Sequence, residues 1–427
     1  MRAEMHFRIL APLICAALAW AAPTSAQVNI QCPCDRNGDG DCEDVKATGP
    51  AGGRFDETTL AASLGVQCMH LTGGDGFAVM ADGRPQYMFG FSDVTGTLQA
   101  DVPTAGLLAA QWPAPTIAVD QGKKFYLTLT NVGMVIRPDL FDPHSVHFHG
   151  FPQSSTVFDG LPESGIAINQ GASLTYFYDL VEPGTYMYHC HVEATEHMQM
   201  GMLGTLYVRP AQNNLVPGTG LAGGFVHQAG YKYVYNDGDG STRYDVEYPI
   251  QLGAWDPDFH DASWTVQPLP FAMMWDRYPM MNGRGFPDTI NPDPLPAPVE
   301  NGNIVSQRVS SLVTATRGQK VLLRLSNLNI TEVHTLSSPS IPMRVVGIDA
   351  KQLRAADPDG TGPQLGENLD YTTNSVTMGG GMSADVILDT SGVPAGEYYL
   401  YASNLQYLAN NDEARDLGGM MTKIVIN

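Results

Sequence analysis

The chain has 427 residues, and 23 Lys and Arg against 44 Asp and Glu leave a net charge of −21. That shortage of cations excludes a nucleic-acid binder and argues against docking on anionic lipid, because both need clustered positive charge. A hydrophobic content of 43% is ample for a packed core, and 45 Gly with 30 Pro punctuate it as an all-β protein rich in turns.

Residues 1–26 read as an export signal: Arg2 and Arg8, an apolar run from Ile9 to Ala22, then the small residues Thr24, Ser25 and Ala26. The run is too short to span a bilayer, and no later stretch is long enough, so a periplasmic or extracellular protein without a membrane partner is expected. Residues 27–85 form a small Cys-rich segment. In an oxidising compartment Cys32, Cys34, Cys42 and Cys68 read as two disulfides, whose pairing spacing leaves open. Asp35, Asn37, Asp39 and Asp41 alternate oxygen donors like the start of a Ca²⁺ loop, although Lys46 stands where a bidentate Glu would close it. The other reading is an acidic surface turn.

Period-two strand patterns begin near residue 86 and are separated by Gly/Pro turns, as in a β-sandwich. The second half repeats the plan. Residues 318–327 echo 122–131, residues 395–401 echo 183–188, and Gly419-Met420 echoes Gly201-Met202. The division expected is one sandwich over 86–212, a linker and the start of the next over 213–300, and a second sandwich over 301–427.

Six of the 11 histidines fall between residues 143 and 202, with Cys190 among them. His144, His147 and His149 occupy one line; His189, Cys190, His191, His197 and Met202 occupy another. If the second line is a strand running into a loop, Cys190 faces one way while His189 and His191 face the other. On the Cys190 side, His144, His197 and Met202 complete one thiolate, two imidazoles and a thioether, the donor set of a blue-copper site. On the opposite face His147, His149, His189 and His191 can converge on a second metal; the alternative is a vestige that binds nothing. His197 is expected nearest the surface, where a donor would give up its electron. Met198, Met200 and Met202 with the pairs at 273–274, 280–281 and 420–421 read either as a copper-accepting surface or as flexible core packing.

These two lines resemble the multicopper oxidase superfamily, and the tandem plan is similar to its two-domain bacterial members and to copper nitrite reductases. The resemblance implies two tandem cupredoxin-like Greek-key sandwiches, with type 1 copper on His144, Cys190, His197 and Met202. It implies further copper on His147, His149, His189 and His191, four of the histidines that hold the family's trinuclear cluster. It also implies a small-molecule, metal-ion or redox-protein donor, dioxygen or nitrite as acceptor, and a homotrimer. The second sandwich departs from the pattern. Tyr401-Ala402-Ser403-Asn404 stands against Tyr188-His189-Cys190-His191, and His334-Thr335-Leu336 against the paired histidines, so this domain is expected to lack copper ligands. His334 and His70 are the candidates left to add one. Three readings follow: a copper oxidoreductase, which the intact first-sandwich motifs favour; a type 1 electron carrier; and a periplasmic copper-handling protein.

Overall fold

The computed structural model describes residues 31–33, 35, 65–152, 154–356, 366–411 and 417–427. The export signal, Cys34, Cys42, Asn37, Asp39 and Asp41 lie outside the described residues. Cys32 is disulfide-bonded to Cys68, which ties the N-terminal segment to the first strand.

The first sandwich contains β1 (Val66–Val79), β2 (Pro85–Asp93), β3 (Ala114–Asp120), β4 (Lys124–Gly133), β5 (His147–His149), β6 (Ser173–Asp179), β7 (Gly184–His189) and β8 (Leu203–Arg209). One sheet runs β2-β1-β4-β6 and the other β3-β8-β7-β5, so the chain crosses repeatedly between sheets in Greek-key fashion. Leu71, Leu127, Leu129, Phe148, Tyr178, Tyr188 and Leu206 fill the space between them. This sandwich begins at Val66, ahead of the start expected near 86, because β1 pairs with both β2 and β4. Crowding explains a glycine within this strand: a Cβ on Gly73 would lie 2.8 Å from His144 Cδ2.

A ribbon of β9 (Lys232–Tyr233) and β10 (Arg243–Tyr244) leads into β11 (Val246–Trp255) and β12 (Tyr278–Met281). There follow β13 (Val313–Ala315), β14 (Lys320–Asn327), β15 (His334–Ser337), β16 (Met343–Ile348), β17 (Lys351–Gln352) and β18 (Tyr371–Thr373). The last are β19 (Ser375–Met378), β20 (Met382–Asp389), β21 (Gly396–Ala402) and β22 (Met421–Ile426). The second sandwich stacks β12-β11-β14-β20-β16-β17 on β13-β22-β21-β15-β19. Among the described residues three short α-helices interrupt the strands: α1 (Val102–Ala105), α2 (Ala194–Gln199) and α3 (Pro257–Thr265). The last has Pro257 in its first turn and Asp256 accepting from Asp258 N at 2.9 Å, a pre-set and capped start. No helix among the described residues is long and apolar enough to cross a membrane.

Strand β7 is buried at every residue because both its faces are covered, and the period of two sorts them. Tyr186, Tyr188 and the following Cys190 enter the first core. Thr185 donates to the buried Asp385 carboxylate of the second sandwich at 2.5 Å, and Met187 joins the inter-sandwich cluster of Trp112, Trp255 and Met280. Nearby, the fully buried Arg324 pairs with Glu247 at 3.0 Å and Asp385 at 3.4 Å. Such a pair roughly offsets its own desolvation, so it fixes how the sandwiches meet more than it stabilises them.

Candidate metal centres

Cys190 lies just past β7 on the core-facing side. His144 and His197 join it, the three donor atoms lying within 4.8 Å of one another. His144, Cys190, His197 and Met202 all have zero exposure. Cys190 Sγ is 3.2 Å from His197 Nδ1, and Ser145 N approaches the sulfur at 3.5 Å. Gly73 of β1 floors the group, since a Cβ there would also come within 3.3 Å of Met202 Cε. Both His144 ring nitrogens are buried without a hydrogen-bond partner. An unsatisfied buried polar group costs about 1–3 kcal/mol, and a soft or borderline metal on thiolate, imidazole and thioether donors relieves that cost, so the residues fit copper.

His197 is as fully buried as the other three: Phe89 packs edge-on against it at 5.7 Å between ring centroids, and Asp142 Oδ2 stands 3.8 Å from its Nε2. Burial works against its charge, but the Cys190 sulfur and Asp142 outweigh it and lift the imidazole to about 10. Burial, then the neighbouring His197, holds His144 well below the ordinary histidine value.

On the other face, strand alternation puts His147 and His149 of β5 opposite β7, with His147 in register with His189. Ligand atoms of His147, His149 and His189 lie within 4.8 Å of one another. His191 lines the same cavity, its ring centroid 5.2 Å from His147 and 5.6 Å from His189, as close as the triad's rings are to one another. His147 Nδ1 donates to the Asp159 carbonyl at 2.6 Å and His189 Nδ1 to the Cys190 carbonyl at 2.8 Å. Each bond assigns the tautomer and turns Nε2 toward the cavity, where His189 Nε2 lies 3.4 Å from His149 Nδ1. Burial keeps all three neutral, His189 down to about 3, which suits metal binding.

The cavity, about 480 Å³, lies between the sandwiches and is roofed by Leu328, Asn329, Ile330, Thr331, Glu332 and Val333, with Gly380 and Gly381. A Cβ on Gly381 would lie 2.8 Å from His149 Nε2. Two clamps hold the roof. Asn329 Oδ1 accepts from Thr331 N at 2.8 Å and Glu332 N at 2.6 Å, and the buried Asp276 carboxylate accepts from Asn329 Nδ2 at 3.0 Å and Gln199 Nε2 at 2.8 Å. These roof residues escaped sequence reasoning, which searched for ligands; the repeated Asn at 131 and 327 was the available signal that a loop turns there. None of the roof residues is a histidine, and His70 sits elsewhere, its Nε2 on Thr130 Oγ1 at 2.8 Å.

The second sandwich is one residue out of the expected register. Cys190 N bonds Met202 O at 3.0 Å and Met202 N bonds His197 O at 2.8 Å; Ala402 N bonds Met420 O at 2.9 Å and Met420 N bonds Tyr407 O at 2.8 Å. Ala402 therefore occupies the place of Cys190, Tyr407 that of His197, and Tyr401 that of His189. Ser337, opposite Tyr401, stands for His147. His334 answers to His144, packing on Tyr407 at 4.8 Å where His144 packs on His197 at 5.1 Å, and it is no substitute ligand for the cavity. Of the methionines outside the Cys190 group, Met200, Met280, Met281, Met420 and Met421 are buried, so packing explains them. Asp35 is the described member of the proposed calcium run.

Residues 95–213 match the multicopper oxidase family model. An iron transport multicopper oxidase, FET3, of Gibberella zeae is 30% identical over 164 residues, covering 37% of this chain and 20% of that protein. The chain thus spans about a fifth of this curated relative. The blue copper oxidase of Nitrosomonas europaea shares the fold with a TM-score of 0.56 and 21% identity, over 84% of this chain and 85% of that one. The copper nitrite reductase of the same organism does so at 0.51 and 17%, over 85% and 93%.

Proposed function

We propose that the protein is an exported copper-dependent oxidoreductase of multicopper oxidase type, a reading supported by the match of residues 95–213 to that family's model. The observation that carries the reading is the sorting by β7. A Cys/His/His/Met group stands on one face and a histidine-lined cavity on the other, with adjacent residues, Cys190 and His189, serving both.

His144, Cys190, His197 and Met202 would hold type 1 copper, and His147, His149, His189 and His191 further copper beside the acceptor. Bound copper supplies one-electron redox change at each site. The chain's own residues do the rest. The first core keeps water from Cys190, and the carbonyls of Asp159 and Cys190 aim two Nε2 atoms into the cavity. Glu332 places a carboxylate on the cavity wall, with the Tyr407 hydroxyl donating to it. Reduction of dioxygen or nitrite takes up protons there. The donor is a small molecule, a metal ion or a redox protein.

The test is dioxygen and nitrite consumption by the copper-loaded wild type and by a variant carrying His147→Ala and His191→Ala. Turnover should vanish in the variant while the thiolate-copper absorbance persists. Unchanged turnover, or no turnover in a wild type with only one copper, would leave an electron carrier.

A further inference from the structure

The histidine cavity has walls from both sandwiches, and one buried carboxylate joins them. Asp276, 6% exposed, lies between α3 and β12. Its Oδ1 accepts from Gln199 Nε2 at 2.8 Å; its Oδ2 accepts from Asn329 Nδ2 at 3.0 Å and from the Thr331 hydroxyl. Gln199 ends α2, whose Ala194 and Met198 line the cavity from the first sandwich, while Asn329 and Thr331 line it from the second. All three partners donate, and an ionised acid is the side chain that offers acceptors alone. An anion this buried is costly unless it is bonded, so the three bonds sustain it as much as it holds them.

Asp276 is itself fixed on both sides. Trp275 N donates to the Asp256 carboxylate at 3.0 Å, and Arg277 N to the Trp255 carbonyl at 2.9 Å. From this post the tie runs on to Glu332. Asp276 decides which end of the Asn329 amide faces it, and the other end, Oδ1, is thereby turned to Thr331 N at 2.8 Å and Glu332 N at 2.6 Å. The Cys190 group keeps bonds of its own, from Cys190 N to Met202 O and from Met202 N to His197 O.

We propose that Asp276 is a positioning residue for the acceptor reaction, pinning the roof of the histidine cavity and its Glu332 carboxylate to the first sandwich. The proposal rests on the oxidoreductase reading and deepens it. A pinned roof keeps bulk water out, which strengthens the binding of a small ligand among the histidines. It also holds Glu332 at the cavity wall, where acceptor reduction takes up protons. Electron uptake at the Cys190 group does not depend on the roof, so the two halves of the reaction respond differently when Asp276 is changed.

The test compares copper-loaded wild type with Asp276→Asn, whose amide sets a donor against donors. Turnover with dioxygen or nitrite should fall about tenfold or more, while anaerobic reduction of the thiolate-copper absorbance by hexacyanoferrate(II) is unchanged. Azide, a small anion that binds copper, should bind about threefold or more weakly, read from its charge-transfer absorbance. Asp237→Asn is the stability control. Asp237 is equally buried, accepts from Gln212 Nε2 at 2.7 Å and Thr242 N at 2.7 Å, and belongs to neither metal centre, so its loss should leave turnover per thiolate copper and azide affinity at wild-type values. Asp276→Asn with Gln199→Glu reverses the donor in one bond and should return turnover to within about threefold of wild type. Wild-type turnover and azide affinity in Asp276→Asn, equal losses in Asp237→Asn, or no recovery in the reversed pair would each overturn the proposal. If Asp276→Asn does not fold, Thr331→Val removes one donor alone; about a threefold fall in turnover is expected, and no fall overturns the role. A wild type that binds azide but reduces neither acceptor ends the oxidoreductase reading, and the azide comparison then decides the role of Asp276 by itself.

Discussion

The two sandwiches close their Met-bearing loops with the same pair of backbone hydrogen bonds, at 3.0 and 2.8 Å in the first and 2.9 and 2.8 Å in the second. What those bonds position differs. The first carries Cys190, His197 and His144; the second carries Ala402, Tyr407 and His334. Tyr407 turns its hydroxyl outward to Glu332, and His334 is left buried with both ring nitrogens unpartnered and its basicity lowered to about 4 by burial. The comparison separates scaffold from chemistry: the fold demands the loop, and only the side chains at three of its places demand a metal. It also gives the second sandwich a different task, since it supplies the roof of a cavity whose histidines belong to the first.

The sharpest way to break the contrast is Cys190→Ser. The visible thiolate-copper absorbance should disappear entirely while the far-ultraviolet circular dichroism is unchanged, because serine is close to cysteine in size and offers no thiolate; retained colour would end the assignment. Building in the other direction, Ala402→Cys with Tyr407→His should let the second sandwich take up an extra copper with its own thiolate band, read by metal analysis and absorbance. Losing the Tyr407 hydroxyl bond should cost about 1 kcal/mol in a denaturant titration. No added copper would mean that the shared backbone is not a shared site.

The junction between the sandwiches can be opened with Arg324→Met. That leaves Glu247 and Asp385 without their buried cation, and a loss of about 3–5 kcal/mol is expected in urea unfolding. The same pair sets an acid limit. Burial opposes the charge on Glu247, but Arg324 and Arg209 outweigh it and hold the carboxyl at about 2 against an ordinary 4.5. A depressed value stabilises the fold above about 4.5 and is lost as pH falls through about 2. Wild-type stability should therefore drop over that window, and the Arg324→Met variant should show a smaller drop.

The facing of these side chains was legible because strand alternation is a local rule: one thiol between two imidazoles is sorted to the opposite face, and Cys190 enters the core while His189 and His191 line the cavity. The sandwich repeat was legible for the same reason. Three features were not. Glycines in β1 hid a strand because they answer to close approaches from elsewhere in the chain, Gly73 to His144, Gly74 to Val132 and Gly76 to Asn301. The register of the second sandwich slipped by one residue because no ligand anchors it, and hydrogen bonds between Ala402, Tyr407 and Met420 are invisible in a linear pattern. The cover over His197 is the third, because Phe89 and Asp142, which enclose it, are distant in sequence.

The measurement that tests the account most directly is copper per chain on the fully loaded protein, taken with its visible and electron paramagnetic resonance spectra. Two ligand sets on opposite faces of β7 predict at least two coppers, one carrying a thiolate signature and the other without it. A single copper, with the thiolate signature alone, would contradict the second site and reduce the histidine cavity to an empty remnant.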